Sequence, residues 1–310
     1  MYEIGKIQQM STNNFEAIII GGSYAGLSAA MALGRSLRKV LILDTNKPCN
    51  RQTPHSHNFI THDGDTPAEI SKQALQQVLK YPTIFYKNEE AIYATQKEFG
   101  FEIGTNLDKI YTTKKVIIAS GIKDIMPDII GFSECWGISV IHCPYCHGYE
   151  VKGLKTGIIA NGDRGFHMAS LINNLTADIT LLTNEKANFT PEQLSKLENH
   201  NISIVDKEII EIEHKNGYVD SVIFSDGSKM DFKAAYAAIP FTQNSNIPLE
   251  LGCAFTETGH IKVDASFKTN IPGIFACGDC ASMARTVANA VGSGNLTGAM
   301  VNLELTMENF

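Results

Sequence analysis

The stretch Cys143-Pro-Tyr-Cys146-His147-Gly148-Tyr149-Glu150 is the densest run of reactive groups in the chain. Two cysteines separated by two residues can close a small disulfide ring, and the histidine after the second can carry the proton when that ring opens. Thiolate is the nucleophile of thiol–disulfide exchange, so a redox pair needs a neighbour that lowers a thiol pKa; an adjacent imidazole can do this. The same octapeptide, taken alone, also allows half of a zinc site or two buried thiols. Cys277-Gly278-Asp279-Cys280 is a second CxxC, but its distance along the chain from the first far exceeds that of a zinc ribbon. His55-Ser56-His57 lacks a third ligand at helical spacing, so no metal is expected there either. Cys49, Cys135, Cys253, Cys277 and Cys280 read as buried or incidental thiols.

The elements that must position this chemistry begin at an apolar run, residues 17–20, followed by Gly21-Gly22-Ser23-Tyr24-Ala25-Gly26. A small-residue helix from Leu27 to about Gly34 comes next, then a second apolar run, 40–43, that ends in Asp44. Strand, glycine turn, helix and strand in this order predict dinucleotide binding. Backbone N–H groups at Gly21, Ser23, Ala25 and Gly26 meet a pyrophosphate at the helix N-terminus, and Asp44 takes an adenosine ribose. Ser23 stands at the middle glycine of the motif and keeps a small residue there.

Residues 50–64 are polar and hold three histidines, which predicts a loop touching cofactor or solvent, with Arg51, Gln52 and His57 as candidate contacts. Thr66-Pro67-Ala68-Glu69 then starts a helix toward Lys80. Strands are expected at 84–86, 91–95, 99–103 and 115–119, the last ending in Ala119-Ser120-Gly121, where Ala119 and Gly121 are candidate cofactor contacts. Past the CxxC the pattern repeats as strand 157–159, turn Ala160-Asn161-Gly162-Asp163-Arg164-Gly165, helix from Phe166 to about Asn174 and strand 178–182. This second unit is degraded. Ala160 takes the first glycine position, and Thr183-Asn184-Glu185-Lys186 offers neither an acid for a ribose nor an arginine pair for a 2′-phosphate. Thr190-Pro191-Glu192-Gln193 caps a further helix, and strands at 202–205, 209–213, 219–224 and 234–238 complete the domain. A last apolar strand runs into Gly278 and Asp279, which can meet a cofactor hydroxyl. Residues 291–294 then open a final helix toward Leu303, whose dipole suits an anionic reduced ring.

Composition narrows the partners. At 310 residues the chain suits two domains with ample core. A formal net charge of -7, without a Lys/Arg-rich run, argues against nucleic acid or an anionic membrane as a partner, and no apolar run approaches a membrane span. Seven cysteines and the absence of a basic-then-apolar start predict a cytoplasmic, reducing compartment; Met10 is a candidate start.

Two dinucleotide units, a CxxC between them and Thr269-Asn270-Ile271-Pro272-Gly273-Ile274-Phe275-Ala276-Cys277-Gly278-Asp279 near the end are similar to the low-molecular-weight thioredoxin reductase family of flavoproteins. The resemblance runs from Phe15 onward. It implies an α/β fold of two Rossmann-like, three-layer domains: a discontinuous FAD-binding domain (15–120 and 241–310) after a polar tail (1–14), with an inserted, degraded NAD(P)-binding-like domain (121–240) that carries the CxxC. It further implies FAD pyrophosphate at 21–26, ribose at Asp44, the ribityl chain at Asp279, the ring near Thr286 and Val287, and a homodimer. Cys146 would face the flavin and Cys143 would attack the external substrate.

Two departures set the expectation. His147 stands where the reductases carry an acid/base Asp, and an imidazole takes protons from a dithiol as readily as it gives them. Glu185 stands where they hold the NADPH 2′-phosphate, so NADPH is a doubtful cofactor. The 143–150 segment resembles that of the dithiol oxidases of gliotoxin and holomycin type, which close disulfides in small sulfur metabolites and pass electrons through FAD to oxygen. The favoured reading is an FAD-dependent thiol–disulfide oxidoreductase acting on a small dithiol, with Cys143 and Cys146 as the pair, His147 as acid/base and Glu150 orienting it. An NAD(P)H- or ferredoxin-driven reductase of a thioredoxin-like protein is the alternative. A flavin-based sensor without turnover is the third.

Overall fold

The structure, a computed structural model, describes residues 13–310. Met10 and all of the 1–14 tail but its last two residues lie outside them; Asn14 opens the first strand. The chain divides into two compact units. One comprises the residues up to Cys49, Glu69–Lys123 and Gln243–Phe310; the other comprises Asn50–Ala68 and Asp124–Thr242.

In the first unit the apolar runs form parallel strands because both of their faces are covered. Asn14–Ile20 pairs in parallel with Val40–Leu43 and with Ile110–Ile118, and Val40–Leu43 pairs with Ile84–Lys87. Ile18, Ile19, Leu41 and Ile42 are wholly buried. Ile110–Ile118 serves two partners along its length. Its first half pairs antiparallel with Gly100–Thr105, which pairs with Ala91–Lys97, while residues 116–118 pair in parallel with Ile274–Ala276. A strand from the end of the chain thus completes the sheet. The final helix spans Val287–Asn309 rather than opening at 291. Thr286 caps it, accepting a hydrogen bond from Asn289 N at 3.1 Å. The glycines that suggested an N-terminus are interior; a Cβ on Gly292 would meet nothing, but Gly294 lets two helices touch, since a Cβ there would stand 2.1 Å from the Ala25 carbonyl oxygen.

The second unit holds a five-stranded parallel sheet in the order Ser203–Val205, Ile179–Leu182, Thr156–Ile159, Ala234–Ala237, Val140–Ile141. Side chains alternate across it. Tyr236 joins Ile158, Ile172 and Leu181 on one face, while Ala235 and Ala237 join Phe132, Phe224 and Phe232 on the other. Helix Gly162–Ile172 starts before the expected Phe166 because Asn161 caps it. Helix Pro191–Asn199 carries the Thr190/Gln193 capping box that its sequence announced. An antiparallel sheet of Ile209–Lys215, Tyr218–Phe224 and Lys229–Asp231 follows.

Segment Asn50–Ala68 belongs to this second unit, whereas the sequence kept it in the first. Local pattern cannot show why, since its partners are distant: Gln52 and Thr53 lie against Gly137, and His57 lies against residues of the CxxC turn. No helix among the described residues is long and apolar enough to cross a membrane.

Candidate functional site

The first unit builds a cradle at its glycine turn. Gly21 has φ +105, which favours glycine, and a Cβ there would stand 2.3 Å from the Ala119 carbonyl oxygen. A Cβ on Gly26 would stand 1.9 Å from the Gly21 carbonyl oxygen, so helix Tyr24–Arg35 leaves the turn at the closest approach backbones allow. Ser23 is its N-cap but puts no side-chain oxygen on the helix amides. Asp44 binds the turn from the next strand: its Oδ1 accepts from Gly22 N at 2.9 Å, and its Oδ2 accepts from Tyr86 Oη at 2.9 Å and Asn46 N at 3.1 Å. Burial, and then the Asp44 charge, push the Tyr86 phenol up, so it remains the donor. An ionised carboxylate has about four acceptor positions, which leaves room for one ribose hydroxyl.

At the other end of this unit Gly278–Cys280 forms a tight turn, with Gly278 N donating to Ser293 Oγ at 3.2 Å. Asp279 Oδ2 lies 4.0 Å from both Arg285 Nε and Cys49 Sγ. Thr286 and Val287 are the cap and first residue of the final helix. The flanking cysteines are core: Cys277 and Cys280 are buried, and burial pushes the Cys280 thiol up to about 12 and raises the Cys277 thiol as well. Protonated thiols of this kind suit packing, not exchange. Among the described residues no group of three His, Cys, Asp or Glu could hold a metal ion.

The second unit places the first CxxC on a short helix, Pro144–His147, with Cys143 as its N-cap. Proline at the first helical position fixes the turn, and the N–H groups of Cys146 and His147 donate to the Cys143 carbonyl at 3.2 and 3.3 Å. The two sulfurs stand 2.6 Å apart, within reach of each other for thiol–disulfide exchange. His57 arrives from the 50–68 segment: its ring meets that of His147 edge-on, with centroids 6.2 Å apart, and its Nε2 lies 3.6 Å from Glu150 Oε1. Its Nδ1 lies 3.6 Å from Asp63 Oδ1. Glu150 thus faces His57, and its charge also reaches His147, which the sequence had it orient. Burial first, and then the charge of His57, hold the His147 imidazole below its usual range against the opposing pull of Glu150.

The degraded second dinucleotide turn is filled by its own side chain. Asn161 Oδ1 accepts from Gly162 N at 2.8 Å and from Asn188 N at 2.9 Å. Its Nδ2 donates to the Lys186 carbonyl at 3.0 Å and to Glu185 Oε1 at 3.3 Å. The helix amide that a pyrophosphate would meet is thus already bonded within the protein.

The structure therefore gathers Gly21, Ser23, Ala25, Gly26, Asp44, Ala119, Gly121, Gly278, Asp279, Thr286 and Val287 in one unit. Cys143, Cys146, His147 and Glu150 lie in the other, together with Arg51, Gln52 and His57, which the sequence had grouped with the cofactor residues. Tyr86 and Asn161 went unrecognised. The only signal for either was position: Tyr86 lies on the strand next to the one that leads into Asp44, and Asn161 follows the missing first glycine.

Two Rossmann-like units with a CxxC on the inserted one define a flavin-type disulfide oxidoreductase, and comparison agrees: the chain belongs to the pyridine nucleotide-disulphide oxidoreductase family, whose profile matches residues 15–294. It is 32% identical to thioredoxin reductase tcpT of Claviceps purpurea (strain 20.1), over 96% of each chain. It is 30% identical to thioredoxin reductase sirT of Leptosphaeria maculans, over 94% of each. Among solved structures it is similar to the putative thioredoxin reductase TrxB from Bacillus anthracis, at a TM-score of 0.90 and 29% identity over 96% of this chain and 100% of that one. The chain is an oxidoreductase acting on sulfur groups, and its cofactor is FAD. The close-packed glycines of the turn, the N-cap Ser23 that makes no side-chain bond to the helix and the remaining acceptor position of Asp44 fit that cofactor.

Proposed function

We propose that the chain is a dithiol oxidase, in which Cys143 and Cys146 are the redox pair and His147 carries the proton. The observation that supports it most is Asn161. A nicotinamide dinucleotide needs its pyrophosphate at the N-terminus of helix Gly162–Ile172, where Asn161 already bonds the first amide, and Glu185 beside it repels a 2′-phosphate. Reduction by NADPH is disfavoured on both counts, which favours the substrate dithiol as the source of electrons.

In this reading a substrate thiolate attacks Cys143 Sγ, the Cys143–Cys146 bond breaks, and its electron pair leaves on Cys146. The second substrate thiol then closes the product disulfide and releases Cys143. His147 is neutral at neutral pH because burial and His57 lower its pKa, so it accepts a proton from the incoming thiol. The 21–26 turn, Asp44 and Asp279 would hold FAD, which would supply a two-electron acceptor that oxygen can reoxidise.

A second reading, a reductase of a thioredoxin-like protein driven by NADH or by a protein donor, is favoured by the names of the relatives. Anaerobic stopped-flow absorbance of the holoprotein separates the two. The oxidase reading expects bleaching of the flavin by a small dithiol and none by NADPH or NADH; rapid bleaching by either nucleotide would replace it with the reductase.

A further inference from the structure

Tyr236 sits in the middle of the second unit's parallel sheet and is wholly buried. Its register partner on the neighbouring strand is Ile141, from which the chain passes through His142 directly into Cys143. The phenol therefore rises beneath the redox turn. A Cβ built on Gly148, the residue after His147, would stand 3.1 Å from Tyr236 Oη. That hydroxyl has no hydrogen-bond partner among the described residues. Burying a hydroxyl unpaired costs stability. A phenylalanine would fill the same space among Ile141, Ile158 and Ile172 without that cost, so the oxygen calls for a use in another state of the molecule.

We propose that the Tyr236 hydroxyl is a positioning donor for the redox pair, hydrogen-bonding the Cys143 sulfur when that sulfur is ionised. The inference rests on the redox-pair reading above. In that sequence the second substrate thiolate attacks the substrate sulfur of the mixed disulfide with Cys143. The new sulfur–sulfur bond forms within the product, and the electron pair of the broken bond leaves on Cys143; the two protons of the dithiol pass to His147 and solvent. A donor fixed under the turn stabilises that departing thiolate. Burial, followed by the charges of Cys143 and Glu150, pushes the phenol up, so Tyr236 keeps its proton through the neutral range and acts only as a donor. The other titratable groups around the pair are His142 before it, His147 and Glu150 after it, and His57 from the 50–68 segment.

The test is the pH dependence of iodoacetamide alkylation of Cys143 in the FAD-loaded Cys146→Ser protein, with and without Tyr236→Phe. The expected result is a Cys143 pKa higher by about one pH unit in the Phe variant, with alkylation at neutral pH slower by up to about tenfold and a thermal midpoint equal or higher. An unchanged titration with a raised midpoint would overturn the proposal, leaving the hydroxyl an unpaired core group. Should Tyr236→Phe fail to fold, 3-fluorotyrosine in place of Tyr236, a stronger acid of nearly the same shape, is expected to lower the Cys143 pKa; no shift would overturn the proposal equally. Cys143→Ser separates the two levels. If it retains dithiol-driven bleaching, the redox reading fails and takes the proposal with it. If it abolishes bleaching while Tyr236→Phe leaves the titration unmoved, the proposal alone fails.

Discussion

His57 Nε2 stands 3.6 Å from Glu150 Oε1 while its ring meets His147 edge-on, so one histidine from the 50–68 segment faces both the carboxylate and the imidazole that follow the CxxC. The two neighbours act on His147 in opposite directions, since His57 lowers its pKa and Glu150 raises it. His57→Asn is therefore expected to move the His147 titration up toward the usual imidazole value, and Glu150→Gln to move it further down. Nuclear magnetic resonance of labelled histidine reads both. No shift in either variant would show that burial alone sets the value.

The redox pair makes a plainer prediction. Cys143→Ser and Cys146→Ser are each expected to slow dithiol-driven bleaching of the flavin by at least about a thousandfold, because neither single thiol can complete the exchange. Flavin content and the thermal midpoint are expected to stay near those of the parent protein. Stopped-flow absorbance with a small dithiol gives the comparison.

Asn161→Ala removes a cap and three further bonds at once. The expected cost is about 1–2 kcal/mol, a fall of a few degrees in the thermal midpoint of a unit this size, with no gain of NADPH-driven bleaching because Glu185 remains. Bleaching that appears with NADPH would mean that the side chain alone had closed the site.

Gly26→Ala places a Cβ 1.9 Å from the Gly21 carbonyl oxygen. The turn must open to admit it, and the expected outcome is purified protein with most of its flavin absorbance missing. Retention of a full complement of FAD would show that the cradle lies elsewhere.

Lys115 is a buried cation held by Glu304 and Glu308, each at 2.5 Å, from the final helix. Burial would raise the Glu304 carboxyl, but hydrogen bonds from Lys115 and Lys268 outweigh it and hold the group below its usual value. A depressed carboxylate stabilises the fold above its unfolded pKa and loses that contribution as pH falls through the lower folded value. Lys115→Met is expected to cost on the order of 2–4 kcal/mol at neutral pH, less than a fully buried pair would because Glu308 is half exposed. The same variant should show a weaker loss of stability on acidification, read by denaturant titration at several pH values.

Much of this was legible locally. The Thr190/Gln193 box, the glycine turn at 21–26 and the CxxC with its following histidine each declare themselves within a few residues, because capping, tight turns and exchange chemistry depend on near neighbours. What depended on distant partners was not. Gly292 and Gly294 look like a helix start until Ala25 is seen against Gly294. His57 reads as a loop residue whose neighbours Glu150 and His147 no local pattern reveals, and Tyr236 is one more apolar strand position until its hydroxyl is found without a partner. Asn161 marks the boundary: the missing glycine was visible, but not that the side chain one residue later would bond the amide in a phosphate's place.

The pairing of Ile110–Ile118 with Ile274–Ala276 bears on the order in which the molecule comes into being. A nascent chain that has reached Gln243 already contains every residue of the second unit, while the first still lacks a strand of its sheet and the helix that packs on Tyr24–Arg35. Vectorial synthesis therefore favours the inserted unit as the earlier folding domain, with the cofactor-binding one kept waiting and its apolar helix face uncovered until Val287–Asn309 has emerged. Chaperone dependence during translation should concentrate in that interval.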